Sequence, residues 1–286
     1  MSVSHPLFLP AISLGEALEA KEANSAAAFI AGGTSLIADR GAREPAGYIS
    51  LRRISALQEI ARRPDGLFVG AGCTIAALLR HPLVASASLL VQAGRATATR
   101  QVRSRATIGG NIAVPLADRS LAPCLLALEA SVHVHSREGL RLTPLERYLS
   151  DRVKAAETPA PEILVGVTIP HTGGYHYYSR VAAGNGGGYA TVSVALLFDR
   201  ERHVVRLGLG GVGPTARRAH EAEAFAEAAL NWKGRSAPTS LATRIGEIAA
   251  QHCDPSTDMS ASSAYRRHAV RVMVQRALEE AWEATR

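Results

Sequence analysis

Two pairs of adjacent glycines, each set among hydroxyl or amide side chains, are the residues best suited to do chemistry: Gly32-Gly33 followed by Thr34-Ser35, and Gly109-Gly110 between Thr107-Ile108 and Asn111. A Gly-Gly turn carries no Cβ to hold a ligand away, and amides at a helix start favour phosphate. Two such loops brought together would wrap a diphosphate from both sides, although either pair alone reads equally well as a simple turn. A third cluster, Gly208-Leu209-Gly210-Gly211-Val212-Gly213, spells GxGxxG after an apolar run and raises a Rossmann nucleotide site. Its surroundings argue against that. Pro214 follows at once, and the chain turns helical instead of returning to a second parallel strand with a ribose-binding acid about 20 residues on. The cluster reads as a strand end turning toward a helix.

His133 and His135 share one face of a strand whose other face is Val132 and Val134, a pattern that suits a polar outer face better than a metal pair. HExxH, GxSxG and GxxxxGKS/T are all absent, and no spacing of serine, histidine and aspartate selects a triad. The cysteines are Cys73, Cys124 and Cys253, too dispersed for a metal knuckle and fewer than the four ligands an iron–sulfur cluster normally takes. Their scarcity suits a reduced, cytoplasmic setting.

With 286 residues, 47% of them hydrophobic and 20% charged, the chain can bury a sizeable core as one large domain or two to three small ones. A net charge of +7 raises the question of nucleic acid, but the basic residues are nearly all scattered arginines and aromatic residues for base stacking are only 5%. No nucleic-acid role is expected. The cluster Arg95, Arg100, Arg103 and Arg105 suits a solvated helix end, an anionic cofactor or an acidic partner. Apolar stretches such as Ser120 to Leu128 fall far short of the roughly 20 residues of a membrane span. The N-terminus lacks the basic start of a signal peptide, so a soluble, unprocessed chain is expected.

The elements that must position the glycine pairs follow from periodicity and caps. Ser13 to Glu16 reads as a capping box opening a helix to about Lys21, and Ala28 to Ala31 reads as a strand that delivers Gly32-Gly33 to a helix start at Leu36. Tyr48 to Leu51 and Leu67 to Ala71 are expected strands, with Thr74 capping a helix over Ile75 to Arg80. A helix from Pro82 to about Ala98, a buried helix over Leu121 to Glu129 and a strand over Ser131 to His135 follow. Thr143 to Glu146 reads as a second capping box, and Glu162 to Ile169 as a strand closed by Pro170. Beyond a boundary at His171 to Gly174, Tyr175 to Arg180, Ala190 to Phe198 and His203 to Leu209 read as an antiparallel meander. The rest is helical, ending in Ala264 to Ala284.

Five segments in order resemble one family: FIAGGTSLIADR from Phe29, RQVRSRATIGGNIA from Arg100 with LAPCLLALEA after it, EILVGVTIP from Glu162, LGGVGPTARRAHEAE from Leu209, and YRRHAVRVMVQRALEEA from Tyr265. Together they resemble the FAD-binding medium subunit of molybdenum hydroxylases, of the carbon monoxide dehydrogenase and xanthine dehydrogenase type. The resemblance runs from about Pro10 to Arg286 and implies an α+β fold: an FAD-binding domain over residues 1–170, in subdomains of about 1–55 and 56–170, then a C-terminal domain over 175–286 with a three-stranded antiparallel sheet and helices. It implies two FAD loops, Phe29, Ile30, Ala31, Gly32, Gly33, Thr34, Ser35 and Leu36, and Thr107, Ile108, Gly109, Gly110 and Asn111. The four glycines would wrap the diphosphate through their amides, and Asn111 would position the second loop. Leu164, Arg180 and Tyr189 fall where the family brings an apolar residue, a cation and a ring-facing side chain to the flavin.

The chain departs from the family pattern at three places. Ser35 stands where an aspartate is frequent, Ser120 stands where a flavin-contacting acid is expected, with Asp118 two residues earlier, and Gly188 replaces an acid before Tyr189 in a glycine-rich run. With no histidine or cysteine in either loop, FAD is expected to be bound non-covalently. The resemblance further implies a small partner subunit with 2Fe-2S clusters, a large molybdopterin subunit, assembly as a dimer of heterotrimers, and NAD, a quinone or another electron acceptor. Two other readings stand beside it: a free-standing FAD-dependent oxidoreductase of the same fold, and a basic module for nucleic acid or protein in which the glycine loops are only turns. Flavin colour separates the last from the first two, and co-purifying iron and molybdenum chains separate those.

Overall fold

The computed structural model of the chain describes residues 7–38, 45–114, 116–154, 161–182, 188–234 and 239–285. Strands β1 (Leu7–Pro10), β2 (Ala27–Ile30) and β3 (Gly47–Ser50) form a small parallel sheet in the order β1-β3-β2. Helix α1 (Leu14–Ala23) lies between β1 and β2 and buries Ala17 and Leu18. Its capping box is formed as the sequence predicts at one end, with the Glu16 amide donating to Ser13 Oγ at 3.1 Å. The returning Glu16 carboxylate takes the Ile12 amide at 2.7 Å, one residue before the cap.

After a 3₁₀ turn at Ser55–Leu57 come β4 (Ile60–Arg63) and β5 (Gly66–Gly70), then α2 (Ile75–Leu78), capped by Thr74 Oγ1 on the Ala77 amide at 3.1 Å. The expected long helix from Pro82 is two elements, a 3₁₀ turn Pro82–Ser86 and α3 (Ser88–Ala96). The chain breaks at Ala87, which leaves the helical region at φ −89, ψ 66. Short helices α4 (Arg100–Arg103) and α5 (Ile108–Ile112) lead to α6 (Leu121–Ala127), in which every residue is buried. Next come β6 (Ser131–Ser136), β7 (Gly139–Pro144), α7 (Leu145–Lys154) and β8 (Ile163–Ile169).

The five strands β4-β5-β8-β6-β7 pair antiparallel in that order, and β8, in the middle, is buried throughout. The second capping box does not form. Thr143 and Pro144 pair with Val132 and Ser131 as the end of β7, so the sheet ladder takes the residues that the local pattern offered as a cap.

Strands β9 (Tyr175–Ala182), β10 (Ala190–Asp199) and β11 (Val204–Gly210) form the expected meander. A two-residue strand β12 (Arg217–Arg218) makes it four-stranded in the order β12-β11-β10-β9. Helices α8 (His220–Ala229), α9 (Thr239–Gln251) and α10 (Ser263–Ala284) complete the chain. The sheet is covered on both faces, which is why all ten residues of β10 are buried. Val192, Val194, Leu196 and Phe198 turn to the core shared with α8 to α10, while Ala195 and Leu197 turn to the core shared with α3 and α6. The architecture is the α+β arrangement the sequence implies, with the C-terminal sheet one short strand larger.

This second interface explains the GxGxxG run. A Cβ on Gly208 would sit 1.9 Å from the Pro123 carbonyl oxygen of α6, and one on Gly210 would sit 2.4 Å from Ser193 Oγ. Gly211 turns the chain at φ +76 with its Cβ position 2.0 Å from the Thr191 carbonyl oxygen. Gly208 and Gly210 let α6 lie directly on β11, which accounts for the run as packing.

Candidate cofactor site

The first glycine pair leaves β2 as expected, but residues 34–38 form a turn instead of the helix start expected at Leu36. Gly33 has φ +73, and the Ile37 amide closes the turn on the Gly33 carbonyl at 3.0 Å. Among the described residues, the amides of Gly32, Gly33, Thr34 and Ser35 donate to no protein acceptor. Gly32 packs backbone to backbone on the segment entering the second pair: its Cβ would lie 2.1 Å from the Arg105 carbonyl oxygen. The two glycine regions are therefore in contact through that segment.

The second pair differs from the expectation. Its amides are already engaged, Gly109 on the Ala71 carbonyl at 2.8 Å and Gly110 on Thr107 Oγ1 at 3.0 Å, with Ile108 on the Cys73 carbonyl at 3.0 Å and Asn111 on the Thr107 carbonyl at 3.1 Å. Thr107 caps α5, and that cap consumes the donor the sequence offered to a phosphate. What remains is space. Gly109 is buried with its Cβ position 2.6 Å from Ala71 Cβ, whereas Gly110 is exposed and meets only Thr107 Oγ1, at 3.1 Å. Asn111 does hold the loop in place, its Oδ1 accepting the Leu121 amide at 3.0 Å at the start of α6.

Of the remaining candidates, Leu164 lies buried in β8, paired with Val134 of β6 and next to the bulge that leaves Val165 without a partner in β6. Arg180 is on β9, donating to the Gly188 carbonyl at 3.0 Å, and Tyr189 is half exposed beyond it. The glycine run before Gly188, residues 184–187, lies outside the described residues. Ser120 is buried and, with Ser193, lies near the Tyr178 hydroxyl. Burial pushes that phenol up to about 12, with the two serines acting in the opposite sense.

The residue that sequence reasoning missed is Arg119. It is only 6% exposed, donates from Nη1 to Ser35 Oγ at 2.7 Å, and places its guanidinium carbon 5.3 Å from the centre of the Tyr189 ring. Asp118 is 3.7 Å from its Nε. No local pattern marks it, because its partners are 84 and 70 positions away.

Elsewhere, His133 is not a plain surface residue. Its ring meets Phe68 edge-on at 5.2 Å and hydrogen-bonds Thr168 at 2.8 Å, and burial followed by the nearby Arg63 holds its pKa below the usual histidine value. Among the described residues no cluster of three metal-ligand side chains occurs, and Cys73, Cys124 and Cys253 are all buried, with thiols that burial makes less acidic. In the arginine cluster, Arg103 is committed to α3, donating to the carbonyls of Thr97 at 2.9 Å and Ala98 at 2.7 Å. No helix among the described residues is long and apolar enough to cross a membrane.

A run of unengaged amides, a left-handed glycine and an underused buried guanidinium fit the anionic part of a dinucleotide such as FAD. Residues 5–172 match the FAD binding domain in molybdopterin dehydrogenase, and residues 177–281 match the CO dehydrogenase flavoprotein C-terminal domain. The chain belongs to the FAD-binding subunits of the molybdenum hydroxylase family. Among its relatives, the glyceraldehyde dehydrogenase medium chain of Sulfolobus acidocaldarius is 29% identical, with 96% of this chain and 97% of that one covered. The carbon monoxide dehydrogenase medium chain of Hydrogenophaga pseudoflava is 27% identical, with 94% of each chain covered. The structure of quinoline 2-oxidoreductase from Pseudomonas putida 86 superposes with a TM-score of 0.86 at 25% identity, covering 99% of both chains.

Proposed function

We propose that this chain passes electrons through FAD, from 2Fe-2S clusters in a small partner subunit to NAD, a quinone or another acceptor, within a cytoplasmic complex whose large subunit carries molybdopterin. The observation that carries the reading is the set of unengaged amides at Gly32 to Ser35, packed against the segment that enters Gly109-Gly110. In this reading residues 1–170 are the FAD-binding domain, in subdomains of about 1–55 and 56–170, and residues 175–286 are the C-terminal domain.

Phe29 to Leu36 hold the diphosphate by backbone donation. Thr107 to Asn111 contribute the surface that only glycine leaves open, because the amides of Ile108, Gly109, Gly110 and Asn111 are spent within the fold. Leu164, Arg180 and Tyr189 orient the ring end, and Asp118 and Ser120 flank Arg119 between the two ends. FAD, when bound, supplies the ability to accept electrons singly and release them as a pair. The chain's own residues bind and orient, and none has to act as a general acid or base.

The need for partners follows from the cysteines, since three buried and dispersed thiols cannot supply the four ligands of one cluster. A size comparison supports it too: the stretch similar to this chain, 30% identical over 71% of it, makes up only 17% of aldehyde oxidase 1 of Cavia porcellus. In this reading the complex is a dimer of heterotrimers, as the resemblance implies.

The test is purification of the full chain alone and with its co-expressed neighbours. One FAD per chain, released into the supernatant by acid precipitation, and iron- and molybdenum-containing chains in the co-purified complex are the expected results. Robust substrate oxidation by the chain alone would replace this reading with a free-standing flavin oxidoreductase.

A further inference from the structure

Arg119 is a buried cation with too few partners. A guanidinium offers five N–H donors, and removing it from water costs several kcal/mol unless they are used. Here one short hydrogen bond, to Ser35 Oγ at 2.7 Å, is accompanied by an ion pair to Asp118 at 3.7 Å and a cation–π contact with Tyr189 at 5.3 Å. The buried Nε has no hydrogen-bond partner among the described residues. Other buried arginines in the same chain are treated differently. Arg266, equally buried and likewise without a partner at Nε among the described residues, spends both Nη groups on Asp258, Ser260 and the Thr191 carbonyl, and the largely buried Arg218 spends its guanidinium on Glu223 and Glu129.

The group left underused is the one anchored on the loop whose own amides are also unused. Ser35 closes the run Gly32 to Ser35, so the Arg119 hydrogen bond places a full positive charge beside four unengaged N–H donors. The Tyr189 ring faces the same guanidinium. A cluster of donors without acceptors is complementary to an anion, and a planar guanidinium suits phosphate oxygens.

We propose that Arg119 is the charged binding residue of this site and pairs with the diphosphate of FAD, completing the donor set begun by the Gly32 to Ser35 amides. This rests on the reading of the chain as an FAD-binding subunit and adds a side-chain charge to what the glycine loops alone would supply. Ser35 has a defined part: its hydroxyl fixes the guanidinium in place.

The experiment uses the full chain stripped of flavin, as wild type, Arg119→Met and Arg119→Lys, titrated with FAD and in parallel with riboflavin, which has the ring but no phosphate. Arg119→Met should weaken FAD binding by at least about ten-fold, the scale of one lost charge-assisted hydrogen bond. Arg119→Lys, which keeps the charge but not the planar fork, should bind FAD more weakly than wild type and more tightly than the methionine variant. Riboflavin affinity should be the same in all three, and FAD binding should be salt-sensitive in wild type and the lysine variant but much less so in the methionine variant. Unchanged FAD affinity in Arg119→Met, equal losses for FAD and riboflavin, or no rescue by lysine overturns the assignment in favour of a purely structural arginine. If the methionine variant does not fold, the lysine variant decides: salt-sensitive FAD affinity above its riboflavin affinity supports the proposal, and a folded protein with FAD affinity as low as its riboflavin affinity refutes it. A wild-type chain that binds no FAD at all would instead remove the underlying FAD reading.

Discussion

The glycine loops of the N-terminal half and the seam between α6 and the C-terminal sheet are built from the same residue type to opposite ends. At Gly32 to Ser35 the backbone keeps its donors open, and at Gly110 the missing side chain leaves open space. At Gly208 and Gly210 the missing side chains are filled by Pro123 and Ser193, so that α6 can lie on β11. Around that seam polar groups are paired with each other. Glu223 accepts the Leu207 amide at 2.8 Å and the Arg218 guanidinium, Arg206 bridges Glu129 and Glu227, and His220 joins Glu146 of α7 at 2.8 Å. The difference between a binding glycine and a packing glycine is therefore what occupies the space beside it and where its amide goes.

Substitutions can break this contrast, and the largest effect on stability belongs to the seam. Gly208→Val would drive a branched side chain into the Pro123 carbonyl, and a loss of at least about 3 kcal/mol, or no folded protein, is expected in a denaturant melt. A variant that melts like wild type would show that α6 can be displaced at little cost. Next comes Glu223→Ala, which removes a buried carboxylate and leaves the largely buried Arg218 short of its principal acceptor, and should cost about 3 kcal/mol. Removing the carboxamide in Gln92→Ala should cost about 1–2 kcal/mol, because two backbone groups of β9 lose their partner.

Smaller again is a pH effect at the same seam. His176 is buried against Ser88 of α3, its Nδ1 2.6 Å from the hydroxyl, and burial holds its pKa below 6.5. Below pH 6.5 the unfolded chain therefore binds a proton that the folded chain resists, so stability should fall as pH drops from 6.5 toward the folded-state pKa. Chemical denaturation across that range should give a shallower slope for His176→Gln than for wild type, and identical slopes would exclude His176 as the source. The smallest stability change is expected at the open loop. Gly110→Val should move the melt of the flavin-free chain by no more than about 1 kcal/mol, because only Thr107 Oγ1 is near, yet it should abolish FAD retention. Full FAD occupancy in a folded Gly110→Val chain would take the second loop out of the site.

Much of this was legible in one dimension. Period-two alternation revealed β6, caps revealed α1 and α2, and the paired glycines stood out by composition alone. Contacts distant in sequence were not legible. That the Gly109 amide is spent on Ala71, 38 positions back, depends on how the chain before α2 folds over α5. The cap predicted at Thr143 lost to its pairing with Val132, a long-range bond that outweighed a local one. Arg119 carries no motif, and two residues were too few for β12 to show as a strand.

Gln92 shows how the two halves also protect one another. Strand β9 is the edge of its sheet, and the Gln92 carboxamide donates to the His176 carbonyl and accepts the Tyr178 amide, both at 2.9 Å, as a neighbouring strand would. An uncovered edge is a template on which strands of other molecules can add. By imitating one residue of a missing fifth strand, α3 closes that edge at its middle, so aggregation resistance of the C-terminal sheet is a property that the N-terminal half confers.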